Sequence, residues 1–144
     1  GCISRGADIA AALAMGADMA YAGTLFINTE EAAAPAGYQE MILESEAKDI
    51  VYTAAISGVH ASFMQKSLQK NGITEEQWSR TAKIDFGKEL DAGMAEAKAW
   101  KTVWSAGQGV GTLKEVLPVH ELVHRLSSEF KASVQKLTDT AAML

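Results

Sequence analysis

The first 26 residues, GCISRGADIAAALAMGADMAYAGTLF, constrain the fold more than any other stretch of the chain. They read as a glycine turn, a helix, a short apolar strand and a second glycine turn. Ser4 is placed to cap the helix, because its hydroxyl can accept a bond from one of the backbone N–H groups that a first turn leaves unpaired. The helix runs through Ile9, Leu13 and Met15, with alanine at most remaining positions, so it is slim and can pack closely. Gly16-Ala17-Asp18 ends it. Met19 to Ala22 is then a short apolar run closed by Gly23-Thr24, which suits a strand buried on both faces of a parallel sheet. Two glycine turns at the carboxyl ends of neighbouring strands can gather several N–H groups around one anion, helped by the positive end of a helix dipole. In eight-stranded α/β barrels the loops after strands seven and eight commonly hold a phosphate in this way.

Length then limits the architecture. The chain has 144 residues, whereas a whole eight-stranded barrel needs roughly 200 or more. A chain of this length could bury one modest core or be a piece of something larger, and the piece is the expectation. The formal charge is −5, and the excess acid lies at Glu30, Glu31, Glu40, Glu44 and Glu46, uninterrupted by Lys or Arg. That block reads as a solvated face. No basic stripe invites nucleic acid, and no apolar run approaches the ~18 residues of a membrane span. Cys2 is the only cysteine, so no internal disulfide can form and a reducing cytoplasm is the expected compartment.

Further along, Ile27 to Ala36 reads as a connector ending near Pro35, and Tyr38 to Ser45 as a helix with Tyr38, Met41, Ile42 and Leu43 on or near one face. Ile50 to Ile56 looks extended, with a Ser57-Gly58 stop. Ala61 to Gln69 places Phe63, Met64 and Leu68 in helical order, and Asn71-Gly72 supplies a C-cap able to adopt positive φ. Thr74-Glu75-Glu76-Gln77 has the form of a capping box ahead of a short helix carrying Trp78. Ile84 to Trp100 is mostly helix-forming. Trp100 to Gly111, WKTVWSAGQGVG, concentrates glycine where backbone can approach a partner closely, and Gln108 offers both donor and acceptor atoms. The last helix runs from about Val119 to Ala141, with a continuous stripe of Val119, Leu122, Val123, Leu126, Phe130, Val134 and Leu137. That stripe packs on a barrel wall or on another copy of the chain, so a homo-oligomer is one expected outcome.

The opening stretch resembles the flavin phosphate-binding segment of the nitronate monooxygenases, formerly 2-nitropropane dioxygenases, in which a G-G-I turn precedes G-A-D, a strand and a G-T-x-F turn. The resemblance continues through Asp49-Ile-Val-Tyr-Thr-Ala-Ala-Ile-Ser-Gly58 and Trp104-Ser-Ala-Gly-Gln-Gly109, and is least distinctive from Gln69 to Lys98. It implies an α/β fold: the last β/α units of a (β/α)8 TIM barrel at residues 1–35, a mostly helical cap or substrate subdomain at 36–100, and a glycine turn with a long C-terminal helix at 101–144. It implies FMN as cofactor, alkyl nitronates or nitroalkanes and O2 as substrates, and a phosphate held mainly by main-chain N–H groups at Gly1, Cys2, Gly23 and Thr24, with Tyr21 and Ala22 alongside. Ala106, Gly107 and Gln108 would line the active-site cavity. The family's histidine base is expected upstream of residue 1, so no catalytic residue is assigned within the chain. Cys2 stands where many relatives have a second glycine, Tyr21 where they commonly carry Gln, and His60 where proline is more frequent. A flavin-dependent enoyl reductase shares the barrel and is an alternative, as is a non-catalytic fragment that self-associates.

His120-Glu121-Leu122-Val123-His124 satisfies H-E-x-x-H, the pattern of zinc proteases. At about 100° per residue both histidines fall off the apolar stripe. Only Glu129 and Asp139 follow His124 as acids, and Glu129 is too near on the same helix to close a tetrahedral site. The motif is therefore read as a solvated helix face, with no metal.

Overall fold

The computed structural model describes residues 2–56, 59–79 and 103–143. Gly1, the Ser57-Gly58 stop and the helix expected over Ile84 to Trp100 lie outside the described residues. Helix α1 spans Gly6–Ala14, α2 Thr24–Ile27 and α3 Ala36–Glu44; strands β1 (Ile50–Thr53) and β2 (Ala61–Met64) follow, then α4 (Gln65–Lys70), α5 (Glu75–Trp78) and α6 (Val119–Ala141), with 3-10 turns at Ala47–Asp49 and Gln108–Thr112. The result is α/β, with helices predominating among the described residues.

Helix α1 is capped differently from the expectation. Arg5, in extended conformation, is the N-cap. The Asp8 carboxylate reaches back to accept from Arg5 N at 2.9 Å, Ser4 N at 3.0 Å and Ser4 Oγ at 3.2 Å, while its other oxygen pairs with the Arg5 guanidinium at 2.9 Å. One charged acceptor serving several donors outcompetes a neutral hydroxyl. Burial alone would raise the Asp8 carboxyl, but the bonds from Arg5 and Ser4 and the Arg5 charge together hold it below the ordinary carboxylate value. The helix ends in a Schellman motif: Ala17 N donates to Ala12 O at 3.1 Å, Gly16 N donates to Leu13 O at 3.0 Å, and Gly16 takes φ +99.

Beyond Gly16 the expected strand does not form. Met19 and Tyr21 are 85% and 87% exposed, and Met19 to Ala22 carries no strand assignment. A strand exists only through pairing with a neighbour, and among the described residues none runs alongside it. Ala22 does pack against the main core.

The β-ribbon is a second correction. Ala61 to Met64, read from sequence as the start of a helix, pairs antiparallel with β1 in the register Ile50↔Met64, Val51↔Phe63, Tyr52↔Ser62 and Thr53↔Ala61. Short apolar runs do not distinguish strand from helix by periodicity, and here the cross-strand contact of Val51 with Phe63 decides it. Helix begins only at Gln65. Downstream, Asn71 caps α4 and Gly72 takes φ +74. The capping box is formed, with Gln77 Oε1 accepting from Thr74 N at 2.7 Å.

Among the described residues two clusters form the interior. Leu25, Ile42, Met64, Ala106, Val110, Leu113, Leu122 and Leu126 form the main one, which draws on the beginning, middle and end of the chain. Phe63, Leu68, Trp78 and Val103 form the other, flanked by Val51 and Ile73.

Helix α6 has the bounds expected from its periodicity. Leu122 and Leu126 are buried, whereas Val134 and Leu137 are 42% and 56% exposed, so the far half of the stripe lies open among the described residues. Its first amide, Val119 N, donates to both oxygens of Glu31 at 3.0 and 2.9 Å. Part of the acidic block thus caps a helix rather than merely solvating a face. Where α1 crosses α6, a Cβ on Gly6 would lie 2.2 Å from Leu126 O and 2.3 Å from Phe130 N. Gly6 N donates to Glu129 Oε2 at 2.7 Å across the same contact.

Candidate functional site

The segment from Trp104 to Gly107 forms a rigid wall because nearly every turn of its backbone is tied to another element. Trp104 N donates to Ser67 Oγ at 2.7 Å, Trp104 O accepts from Met64 N at 3.1 Å, and Ser105 O accepts from the Tyr38 hydroxyl at 2.5 Å. Tyr38 stacks on Trp104 with ring centroids 5.1 Å apart, and Lys70 Nζ lies 5.3 Å from the same indole. Burial pushes the Tyr38 phenol above its usual range, only partly offset by its bond to Ser105. At the end of the wall, Gly107 N donates to Thr24 Oγ1 at 2.9 Å across 83 residues of sequence. The two glycine turns singled out in the sequence therefore meet.

They meet at a groove made of two adjoining clefts. One, of about 300 Å³, is lined by Gly23, Thr24, Ile27, Ala61, Ser62, Ser105, Ala106 and Gly107. The other, of about 350 Å³, is lined by Cys2, Tyr52, Ser62, Gly107 and Gln108. Ser62 and Gly107 belong to both. Among the described residues that line the two clefts there is no Asp, Glu, Lys or Arg; they offer backbone amides, hydroxyls, one carboxamide and one thiol. Gly109 packs closely on residues 2–4: a Cβ on it would lie 3.0 Å from Ser4 Cβ and 3.4 Å from Cys2 O, so these neighbours would have to give by a few tenths of an ångström.

A profile of the nitronate monooxygenase family matches residues 1–129. This chain belongs to the nitronate monooxygenase family. It is similar to a nitronate monooxygenase of Paraburkholderia phytofirmans, 38% identical over 98% of this chain and 39% of that protein. Among solved structures it is similar to FabK from Thermotoga maritima, with a TM-score of 0.69 and 26% identity over 97% of this chain and 45% of the other. A nitroalkane oxidase from Streptomyces ansochromogenes matches with a TM-score of 0.68 and 30% identity over 95% of this chain and 40% of the other. The chain thus spans about two fifths of the length of the curated relatives it matches.

Seen as a member of the nitronate monooxygenase family, the chain places its expected site residues unevenly. Gly23 and Thr24 share a cleft with Ala106 and Gly107, while Cys2 shares the adjoining one with Gly107 and Gln108. Tyr21 is almost fully exposed and lines neither cleft; Ala22 faces the core. Gly1 lies outside the described residues. Just ahead of α1, Ser4 N and Arg5 N donate to Asp8, and the first amide of α1, Gly6 N, donates to Glu129.

The sequence reading missed Tyr52, Ala61 and Ser62. The signal was present in the alternation Val51-Tyr52-Thr53 and Ala61-Ser62-Phe63, which puts Tyr52 and Ser62 on one face once β2 is recognised as a strand. His60 stands beside the groove, its ring 5.1 Å from that of Tyr52. His120 and His124 are exposed on α6 while Leu122 between them is buried, in keeping with a helix flank. They line a separate groove of about 550 Å³ with Glu115, Leu117, Glu121 and Arg125.

Proposed function

We infer that this chain forms part of an FMN-dependent nitronate monooxygenase, the carboxyl-terminal part of a (β/α)8 barrel enzyme that oxidises alkyl nitronates with O2. The observation that carries the reading is the bond from Gly107 N to Thr24 Oγ1, which joins the two glycine turns on one groove. In this reading residues 1–35 supply the phosphate turns, 36–100 a cap and 101–144 the groove wall with its returning helix.

The groove suits the phosphate end of a flavin. A Cβ built on Gly23 meets nothing within 4 Å, so the backbone there faces open space. Thr24 Oγ1 already accepts from Gly107 N, which leaves its hydroxyl hydrogen to donate to an anion. Cys2, Gly23 and Thr24, which line the groove, would offer main-chain donors to the phosphate. When bound, FMN supplies the redox chemistry, and the protein supplies binding, orientation and a shaped, water-poor cavity. Ala106 and Gly107 keep one wall narrow and apolar, and Gln108 presents a polar group at its end. No general base is assigned to His60, His120 or His124.

The test is FMN binding followed by turnover. The full-length protein that contains this chain, titrated with FMN, should show saturable quenching of flavin fluorescence and consume O2 with propyl nitronate in the absence of NADH. A second reading, a flavin-dependent enoyl reductase, is favoured by the match to FabK, which equals the nitroalkane oxidase match in TM-score to within 0.01. NADH-dependent reduction of an enoyl thioester without nitronate turnover would favour it. Protein that binds no flavin and sediments as a dimer through the open half of α6 would leave only a non-catalytic, self-associating role.

A further inference from the structure

Side chains of a β-ribbon alternate between its faces. Val51 and Phe63 point into the second core cluster. Their neighbours Tyr52 and Ser62, paired across the strands, point into the groove. Tyr52 is 68% exposed although it is a large aromatic, and its only ring contact among the described residues is His60. Facing this pair across a cleft of about 350 Å³ are Gly107, Gln108 and Cys2.

The donor inventory of that cleft is one-sided. The Cys2 thiol donates to Gln108 Oε1 at 3.6 Å. That contact commits the carbonyl oxygen of the amide and leaves Nε2, with its two N–H groups, unengaged by any described residue. The Ser62 hydroxyl is also unengaged among the described residues. None of the described lining residues is a carboxylate that would compete for these donors. Neutral donors sharing a cleft with no carboxylate among its described lining residues suit an anionic oxygen group.

We propose that this cleft is an oxyanion subsite: Gln108 Nε2 and Ser62 Oγ donate to the ligand, Tyr52 walls it, and Cys2 is a positioning residue that fixes the Gln108 amide. The inference rests on the functional reading above for its two candidate ligands, a cofactor's phosphate and a substrate's nitronate, which share the same chemistry. Cys2 gives this chain an orienting contact that the glycine more usual at its position cannot make.

The experiment is a titration of 15N-labelled protein with inorganic phosphate and, separately, with propyl nitronate, following the side-chain NH2 pair of Gln108. At least one ligand should shift that pair saturably, and the ligand that does so identifies the source of the oxyanion. Gln108→Leu should weaken binding about tenfold, the size of one hydrogen bond to a charged group, and Ser62→Ala by a smaller factor. Cys2→Ser, which keeps a donor, should bind within about twofold of wild type, whereas Cys2→Ala should weaken binding about threefold. Unchanged chemical shifts elsewhere in each variant exclude a folding defect as the cause. The proposal is overturned if neither ligand moves the Gln108 signals, or if Gln108→Leu binds both as tightly as wild type. Ligand binding at Gln108 in protein that takes up no FMN would sink the functional reading and leave the subsite. FMN binding with silent Gln108 signals would do the reverse.

Discussion

Gly6→Ala should be among the most damaging single-methyl changes in this protein. The added Cβ would lie 2.2 Å from Leu126 O, 2.3 Å from Phe130 N and 2.6 Å from Glu129 Cβ. Real Cβ atoms essentially never come within 3.0 Å of such neighbours, so α1 and α6 must separate by roughly 1 Å, and two of the three obstructing atoms are backbone that no rotamer change can clear. Overpacking of this kind costs about 1–3 kcal/mol. Separation also stretches the Gly6 N to Glu129 Oε2 bond, now 2.7 Å, and a bond to a charged group contributes about 1.5–3 kcal/mol. Against this, alanine gains at most about 1 kcal/mol in helix propensity over glycine. The net expectation is a loss of about 3 kcal/mol, a large part of the stability of a domain this size. Urea denaturation followed at 222 nm should show a lower midpoint with an unchanged m-value. Glu129→Ala placed on top of Gly6→Ala should give no rescue, because the carbonyl and amide obstructions remain. As a control, Gly16→Ala has open space but φ +99, and should cost only about 1–2 kcal/mol through backbone strain. A Gly6→Ala variant within about 0.5 kcal/mol of wild type, the range of an ordinary surface change, would refute the close-approach argument.

Thr24→Val keeps the shape of residue 24 but leaves Gly107 N unpaired, so it should destabilise by about 1–3 kcal/mol and speed amide exchange at Gly107, while Thr24→Ser stays near wild type. Asp8 has a carboxyl held below its ordinary value of 3.8, so the stability it contributes is fully present above that value and is lost as pH falls through the lower folded value. Asp8→Asn should therefore flatten the acid limb of the stability–pH curve below about pH 4 and leave the neutral limb parallel to wild type. Removing the Glu31 carboxylate from Val119 N by Glu31→Ala should lower the thermal midpoint through a loss of about 0.5–2 kcal/mol at the start of α6, with Glu31→Gln retaining part of it.

Wherever structure depends on neighbours in sequence, the chain was legible without coordinates. The bounds of α6, the Thr74–Gln77 capping box, the positive φ of Gly72 and the glycine stop after α1 all follow from hydrogen bonds and side-chain spacings within a few residues. The family itself was readable from three motifs in order along the chain. The same resemblance nominated Gly23-Thr24 and Ala106 to Gln108, which the fold brings onto one groove.

Tertiary structure alone decided what depends on partners far along the chain. Ala61 to Met64 is a strand because Ile50 to Thr53 lies beside it, and Met19 to Ala22 is not one because no described strand does. Asp8 displaced Ser4 as the organiser of the first turn because a charge collects more donors than a hydroxyl. Glu31 and Glu129, which by composition belong on a solvated surface, each accept from a helix-end amide more than 80 residues away. The same holds for the site. Residue types and spacings nominated the two glycine turns, but the bond from Gly107 N to Thr24 Oγ1 and the alternation that turns Tyr52 and Ser62 into the groove arise only when the chain folds back. Hydrogen-bond donors carry no sequence record of which distant acceptor they will meet; packing decides that, and packing here made two separate turns into one groove.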